Sequence, residues 1–242
     1  MLRKGNNMNL QNQDIDIELA SADVIFADMD KLAIESGGDF EITKRDIDGE
    51  HFNVFKKLSE NLPVMYKTVV ETHGDKEFLV YLDQRYSFND IYLQASAFAQ
   101  SLQQDYNIKV GDSVVIAMRN YPEWIVAFMA ITSIGGVVVP LNAWWQREEF
   151  TYAIEHCEAS LVIVDDRRFV MLKDWLLQQS IPAIVARGNH TTKAATEFEH
   201  LVSKNQNQTM PEVPLKRDST ACIFYTSGST GDPKGAVLTF RN

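Results

Sequence analysis

Ten consecutive residues of the 242-residue sequence combine side chains that bind anions. In order, they read Thr226-Ser227-Gly228-Ser229-Thr230-Gly231-Asp232-Pro233-Lys234-Gly235. Glycines leave room for backbone N–H groups to converge on an anion. The four hydroxyls add rotatable donors, and the Lys234 ammonium adds a positive charge that attracts phosphate oxygens. The segment therefore predicts a phosphate-binding loop.

The pattern around Lys234 differs from a Walker loop. A Walker loop continues from its lysine into Ser or Thr, whereas Pro233 precedes Lys234 and Gly235 follows it. Apolar runs at residues 221–225 and 236–238 each predict a strand. We therefore expect the loop to join two antiparallel strands and to close over a triphosphate. The alternative, a Ser/Gly-rich turn without a ligand, does not need four hydroxyls and a lysine together.

The chain from residue 52 onward alternates between helical and strand-like patterns. Pro63 and Pro122 suit the first turn of a helix, and Ser87 followed by Asp90 resembles a capping box. Further helices are predicted at residues 147–157 and 168–179, and strands at residues 78–81, 114–118, 137–139, 161–164 and 184–185. Continuous apolar strands between amphipathic helices are typical of an α/β fold, with a layered, mainly parallel sheet flanked by helices. Such sheets bind ligands at the carboxyl edge of their strands, where the loop belongs.

The first 50 residues differ in composition from the rest. They are rich in Asp and Glu and show little apolar periodicity. We expect residues 1–50 to form an acidic, flexible arm and residues 51–242 to form one incomplete domain.

Charge and hydropathy exclude some classes of function. The sequence holds 23 basic and 33 acidic residues, a net charge of −10, which repels nucleic acids. No apolar run is long enough to span a bilayer, and no signal-peptide pattern follows the basic start. We expect a cytoplasmic protein without an integral membrane segment, and the oligomeric state stays open.

The cysteines and histidines form no metal-binding pattern. Cys157 and Cys222 lie far apart, so we expect packed thiols rather than ligands. His156 precedes Cys157, but adjacent residues on a helix point in different directions. Residues 165–168, two aspartates followed by two arginines, predict a solvated junction between a strand and a helix. No metal site is predicted, and the catalytic residues are unknown.

Residues 225–235 resemble the signature loop of the adenylate-forming (AMP-dependent synthetase/ligase) superfamily. That superfamily includes acyl-CoA synthetases, adenylation domains of peptide synthetases and firefly-type luciferases. Residues 110–116, 120–128 and 135–142 resemble its preceding elements, so the likeness covers roughly residues 75–242. Asn142-Ala143-Trp144-Trp145 is similar to a variant typical of acyl-CoA synthetases. These indoles could line an acyl or interdomain surface, but we expect them to pack in the core.

The resemblance implies a two-step activation of a carboxylic acid. The acid reacts with MgATP to an acyl-adenylate and pyrophosphate, and a thiol, usually that of coenzyme A, then displaces AMP. It implies ATP, Mg²⁺, coenzyme A and a small carboxylate such as a fatty acid as reactants and cofactors. It assigns binding of the β- and γ-phosphates to the loop residues Thr226, Ser227, Gly228, Ser229, Thr230, Gly231 and Lys234.

Other family segments have no counterpart in these 242 residues. They are the aromatic-Gly-x-Thr-Glu segment, the ribose-binding aspartate and the mobile carboxy-terminal domain with its lysine. Phe240 also stands where many members have histidine. We therefore expect an acid–thiol ligase whose 242-residue chain is inactive by itself. The alternatives are a non-catalytic truncated fragment or pseudogene product, and part of a peptide-synthetase-type adenylation domain, which Trp144-Trp145 disfavours.

Overall fold

The computed structural model of the chain describes residues 34, 37–38, 40–47, 49–188, 195–226 and 233–242. The chain divides into two units, Met1–Leu58 and Ser59–Asn242. In the first unit, strands β1 (Ile42–Ile47) and β2 (Glu50–Phe55) form an antiparallel hairpin. This hairpin contains residues from both sides of the predicted boundary between residues 50 and 51. Most of the predicted acidic arm lies outside the described residues, so its flexibility stays a prediction.

The second unit alternates helices and strands as the sequence predicts. Its described helices are α1 (Leu62–His73), α2 (Phe88–Gln104), α3 (Pro122–Ser133), α4 (Arg147–His156), α5 (Asp166–Gln179) and α6 (Phe198–Lys204). Its described strands are β3 (Glu77–Tyr81), β4 (Gln84–Ser87), β5 (Ser113–Ala117), β6 (Val137–Pro140), β7 (Leu161–Asp165), β8 (Ala183–Ala186), β9 (Ala195–Glu197), β10 (Thr220–Thr226) and β11 (Lys234–Thr239).

Seven strands form one sheet in the order β11-β10-β6-β5-β7-β8-β9. Strands β10 and β11 are antiparallel, and every other neighbouring pair is parallel. The prediction of an α/β fold with a mainly parallel sheet is confirmed, as is the antiparallel pair on either side of the loop. Strands β3 and β4 form a separate hairpin.

The sheet has a hydrophobic core on each face, because alternate residues of a strand point to opposite sides. Val114 and Ile116 of β5 face one core, together with Phe98 of α2. Val115 of the same strand faces the other core, together with Phe150 of α4. Both faces of β5 are thus covered, which explains why the strand is apolar and buried at every position after Ser113.

Polar side chains at its first turn determine where helix α2 begins. The Ser87 hydroxyl accepts from the Asp90 N–H at 3.1 Å, and the Asp90 carboxylate accepts from the Ser87 N–H at 2.8 Å. This capping box satisfies two backbone donors at the start of α2 and confirms the prediction. One apolar face of α2 is fully buried, and it comprises Ile91, Ala95, Phe98 and Leu102.

Two glycines align the starts of β5 and β6. Gly111 and Gly135 have φ angles of +92° and +77°, in the left-handed region that favours glycine. The Gly111 N–H donates to the Gly135 carbonyl at 2.9 Å, and the Val137 N–H donates to the Asp112 carbonyl at 2.8 Å. These bonds set the register in which Ser113 pairs with Val137.

Candidate functional site

The candidate site lies at the carboxyl edge of the parallel strands. Strands β5, β6, β7 and β10 run in the same direction, so their carboxyl ends meet at one edge. That edge carries Arg119 after β5, residues 141–145 after β6, Asp165 at the end of β7 and Thr226 at the end of β10. Open α/β sheets bind ligands at this edge.

The predicted phosphate loop connects the ends of β10 and β11. Thr226 and Lys234 face each other in register, and the Thr226 hydroxyl donates to the Lys234 carbonyl at 3.5 Å. Both residues are exposed, so the Lys234 ammonium is accessible to an anion. The other predicted loop residues lie outside the described residues, and these are Ser227, Gly228, Ser229, Thr230 and Gly231.

Tyr225, directly before the loop, is held on several sides. Its hydroxyl lies 2.6 Å from Nδ1 of His156, the last residue of α4. Its ring meets the Trp145 ring edge-on at 6.3 Å. It also covers Gly235, where an added Cβ would lie 3.5 Å from Tyr225 Cζ. Burial raises the pKa of Tyr225 to about 12, so the hydroxyl is protonated at neutral pH.

A buried ion pair lies beneath the same edge. Arg168 Nη1 lies 2.9 Å from Asp165 Oδ2, and the two side chains are only 4% and 5% exposed. The prediction of a solvated junction is therefore wrong for these two residues, whereas Asp166 and Arg167 are exposed. Asp165 ends the buried strand β7, and Arg168 lies on the first turn of α5 and points back towards it.

The ion pair joins three strand ends. The Asp165 carboxylate also accepts from the backbone N–H of Arg168 at 3.1 Å and from that of Arg119 at 3.2 Å. The Arg168 guanidinium donates to the Ala143 carbonyl through Nε at 3.0 Å and through Nη2. These bonds fasten the segments that follow β5 and β6 to the start of α5.

A cavity of about 370 Å³ opens between these segments. It is lined by Tyr81, Arg119, Asn120, Tyr121, Ala143 and Trp144. The Arg119 guanidinium lies 4.9 Å from the centre of the Trp144 ring, at a distance typical of a cation–π contact. The lining thus offers aromatic faces, an amide and a guanidinium to a ligand.

The two neighbouring tryptophans have different environments. Trp145 is 7% exposed and packs in the core, as predicted. Trp144 is 68% exposed, so the prediction of core packing is wrong for this residue. Consecutive side chains in the turn after β6 point in different directions, and only that of Trp145 reaches Phe150 of α4.

Arg187 positions two of the aromatic rings at the cavity. Its Nε lies 2.9 Å from Oε2 of Glu123 at the start of α3. Its guanidinium carbon lies 4.6 Å from the centre of the Tyr81 ring and 4.9 Å from that of Tyr121. The guanidinium therefore links the β3–β4 hairpin to α3, with the ion pair partly shielded from solvent.

The cysteines are packed thiols, as predicted. Cys222 is buried and Cys157 is half-buried, and burial raises the pKa of each thiol to about 11. In the described part of the chain, no three His, Cys, Asp or Glu side chains come together as a metal site would require. None of the helices there combines the length and apolar character that crossing a bilayer requires.

Sequence reasoning missed the contacts that support this edge. His156 and Tyr225 are 69 positions apart, and no local pattern marks their contact. A signal did exist for Asp165 and Arg168, because an aspartate that ends an apolar strand and caps a helix is positioned to be buried. The role of Arg119 at the cavity depends on the position of Trp144, which the sequence does not give.

Comparison with known proteins finds a family and relatives that match most of the chain. The family described as AMP-binding enzyme matches residues 66–242. The crotonobetaine/carnitine–CoA ligase of Proteus mirabilis (strain HI4320) is 28% identical over 193 residues, covering 76% of this chain and 37% of that protein. The ligase of the same name from Salmonella agona (strain SL483) is 27% identical over 193 residues, with the same coverage. The chain thus spans 37% of the length of these relatives.

Solved structures share the fold. The anthranilate CoA ligase AuaEII, in complex with anthranoyl-AMP, superimposes with a TM-score of 0.69 at 19% identity, covering 76% of this chain and 36% of that one. Coronafacic acid ligase from Pectobacterium brasiliense gives a TM-score of 0.66 at 24% identity, covering 74% and 35%. At these identities the likeness establishes the architecture of the sheet and its helices.

Proposed function

Because the chain belongs to the family of AMP-binding enzymes, we propose that it carries the ATP-phosphate loop of an acid–thiol ligase. One observation carries the proposal. The segment with four hydroxyls and a lysine begins and ends on paired residues of β10 and β11, at the ligand-binding edge of the sheet.

In the first half-reaction, a carboxylate oxygen of the substrate attacks the α-phosphorus of ATP. The bond from that phosphorus to the bridging oxygen breaks, and pyrophosphate leaves as the acyl-adenylate forms. The negative charge that grows on the leaving pyrophosphate requires nearby donors and cations. We assign this role to the hydroxyls and backbone N–H groups of residues 226–231 and to the Lys234 ammonium.

In the second half-reaction, a thiolate attacks the acyl carbonyl carbon and displaces AMP, which gives a thioester. Coenzyme A is the proposed thiol, because the relatives carry the names of CoA ligases. A small carboxylic acid is the proposed substrate class. The relatives and the solved structures are named for acids as different as carnitine and anthranilate, so we assign no individual acid.

Mg²⁺ accompanies ATP in the proposed reaction. Within the described residues no acidic cluster suited to a divalent ion is present, so we assign the ion no protein ligand and no step. These 242 residues also contain no counterpart of the family's adenine and ribose segments. We therefore propose that this chain by itself forms no thioester.

ATP–pyrophosphate exchange across a panel of carboxylates tests the proposal, with this chain and with any longer polypeptide from the same gene. Where exchange occurs, Lys234→Ala should reduce its rate about 10- to 150-fold, because a charge-assisted hydrogen bond contributes roughly 1.5–3 kcal/mol. The matched control is Lys216→Ala, which removes another exposed lysine of the same unit and should leave the rate unchanged. Equal rates in the two variants would contradict the assignment of Lys234. If none of the carboxylates supported exchange in any of the polypeptides, the proposed reaction itself would be contradicted.

A further inference from the structure

The hydrogen bond between His156 and Tyr225 joins helix α4 to strand β10, one residue before the phosphate loop. We propose that this pair is a positioning device that holds the base of the loop in the orientation that binds phosphate. The inference rests on the proposed function, because it assigns the pair a role in ATP binding. Neither residue is among those assigned to phosphate binding, so both are positioning residues and not catalytic ones.

The geometry is that of a short, directed hydrogen bond. The phenolic oxygen lies 2.6 Å from Nδ1, and the two ring planes meet at 77°. Because the Tyr225 hydroxyl keeps its proton at neutral pH, it can donate to Nδ1 or accept from it, according to the tautomer of the imidazole.

Other aromatic rings also restrict the side chains of His156 and Tyr225. The Tyr152 ring stacks on the His156 ring at 5.4 Å with an interplanar angle of 18°. The two residues are one turn apart on α4, so the helix itself sets the stack. On the other side, the Trp145 ring contacts Tyr225 edge-on, and Trp145 is buried. The bond therefore joins two side chains whose rotamers are already restricted.

The tether acts on both ends of the loop. Tyr225 pairs with Gly235 across the two strands, and its ring covers that glycine, which has no side chain of its own in the way. The next pair in register is Thr226 with Lys234. A ring fixed over Gly235 therefore fixes the position from which Lys234 reaches the phosphates.

The position of β11 in the sheet explains why a tether on its neighbour β10 would matter. Among the described strands, β11 lies at one edge of the sheet and pairs with β10 alone. Ends of an edge strand open locally at low free-energy cost. The contact from α4 adds a restraint from the helix layer that the strand pair does not provide.

Hydrogen exchange on the 242-residue chain tests the restraint. In Tyr225→Phe and in His156→Leu, amides of residues 223–226 and 234–237 should exchange about two- to tenfold faster, the effect of one lost hydrogen bond. The double variant should be no faster than either single variant, because both remove the same bond. His156→Asn should restore slow exchange, since its amide places a hydrogen-bonding atom where Nδ1 lies.

The control is Tyr106→Phe. It removes the hydroxyl of another partly buried tyrosine, one that bonds to Thr196 on β9. Exchange at residues 223–237 should be unchanged in this variant. Unchanged exchange in Tyr225→Phe, or additive effects in the double variant, would overturn the tether.

Titration of the same proteins with MgATP tests the role in binding. The dissociation constant should rise by the same two- to tenfold factor in Tyr225→Phe and His156→Leu, and return towards the original value in His156→Asn. The thermal midpoint should fall by at most about 6 °C, the effect of one lost hydrogen bond on a domain of this size. Faster exchange with unchanged affinity would overturn the positioning role. No MgATP binding by the original chain would instead overturn the proposed function, whatever the exchange data show.

Discussion

At the scale of single residues, the site depends on charges that are placed very differently. Lys234 is exposed and accessible to an anion, whereas Arg168 is buried and already paired with Asp165. A buried guanidinium loses its hydration, and this loss is offset only while its carboxylate partner and the Ala143 carbonyl are in place. Arg168 therefore supports the strand ends and is not available to a ligand.

Replacement of Arg168 by alanine should lower the free energy of unfolding by about 3–5 kcal/mol, because it leaves the Asp165 carboxylate buried without its partner. Urea unfolding measures the change. The neighbouring Arg167 is exposed, so Arg167→Ala should change stability by at most about 0.5 kcal/mol. Similar losses in the two variants would mean that the ion pair contributes little.

At the scale of secondary structure, local sequence signals predict most of the helices and strands. Pro122, the Ser87–Asp90 capping box and the apolar run of β7 each act within a few residues, so the sequence alone predicts α3, α2 and β7. The antiparallel strands on either side of the loop are predicted for the same reason.

Contacts between elements are less predictable. The burial of Arg168 depends on which way the first turn of α5 faces, and the exposure of Trp144 depends on the turn after β6. The contact of His156 with Tyr225 depends on the packing of α4 against β10. Each of these depends on three-dimensional packing, which one sequence does not encode in a local pattern. The phosphate-binding loop could be proposed from sequence because its residue types are consecutive, and its chemistry stays a prediction.

The turn that aligns β5 and β6 yields a prediction at this scale. Gly111→Ala should cost about 1–2 kcal/mol, since its φ is positive and nothing lies within 4 Å of an added Cβ. Gly135→Ala should cost about 2–5 kcal/mol, because an added Cβ would also lie 2.6 Å from Leu215 Cδ2 and 2.9 Å from Val110 Cγ2. Thermal or urea unfolding of the two variants checks this order. A larger loss for Gly111→Ala would contradict it.

At the scale of the whole molecule, the chain's field opposes the ligand that its loop is proposed to bind. The net charge of −10 repels ATP at long range. At physiological ionic strength this repulsion is screened beyond roughly 8 Å, so affinity depends on donors and charges within the loop. The chain spans 37% of the length of its relatives, and we propose that the family's contacts to base and sugar have no counterpart in its 242 residues. Binding through the phosphates alone should be weak, with a dissociation constant of about 1 mM, or roughly −4 kcal/mol.

The most direct measurement is a titration of the isotope-labelled 242-residue chain with MgATP, followed through the NMR shifts of its backbone amides. We expect the largest shifts at residues 225–235 and about tenfold or greater weakening in Lys234→Ala, with Lys216→Ala unchanged. Shifts concentrated elsewhere, for example around Arg119 and Trp144 at the cavity, or equal affinity in the two lysine variants, would contradict the claim that this loop binds the phosphates of ATP.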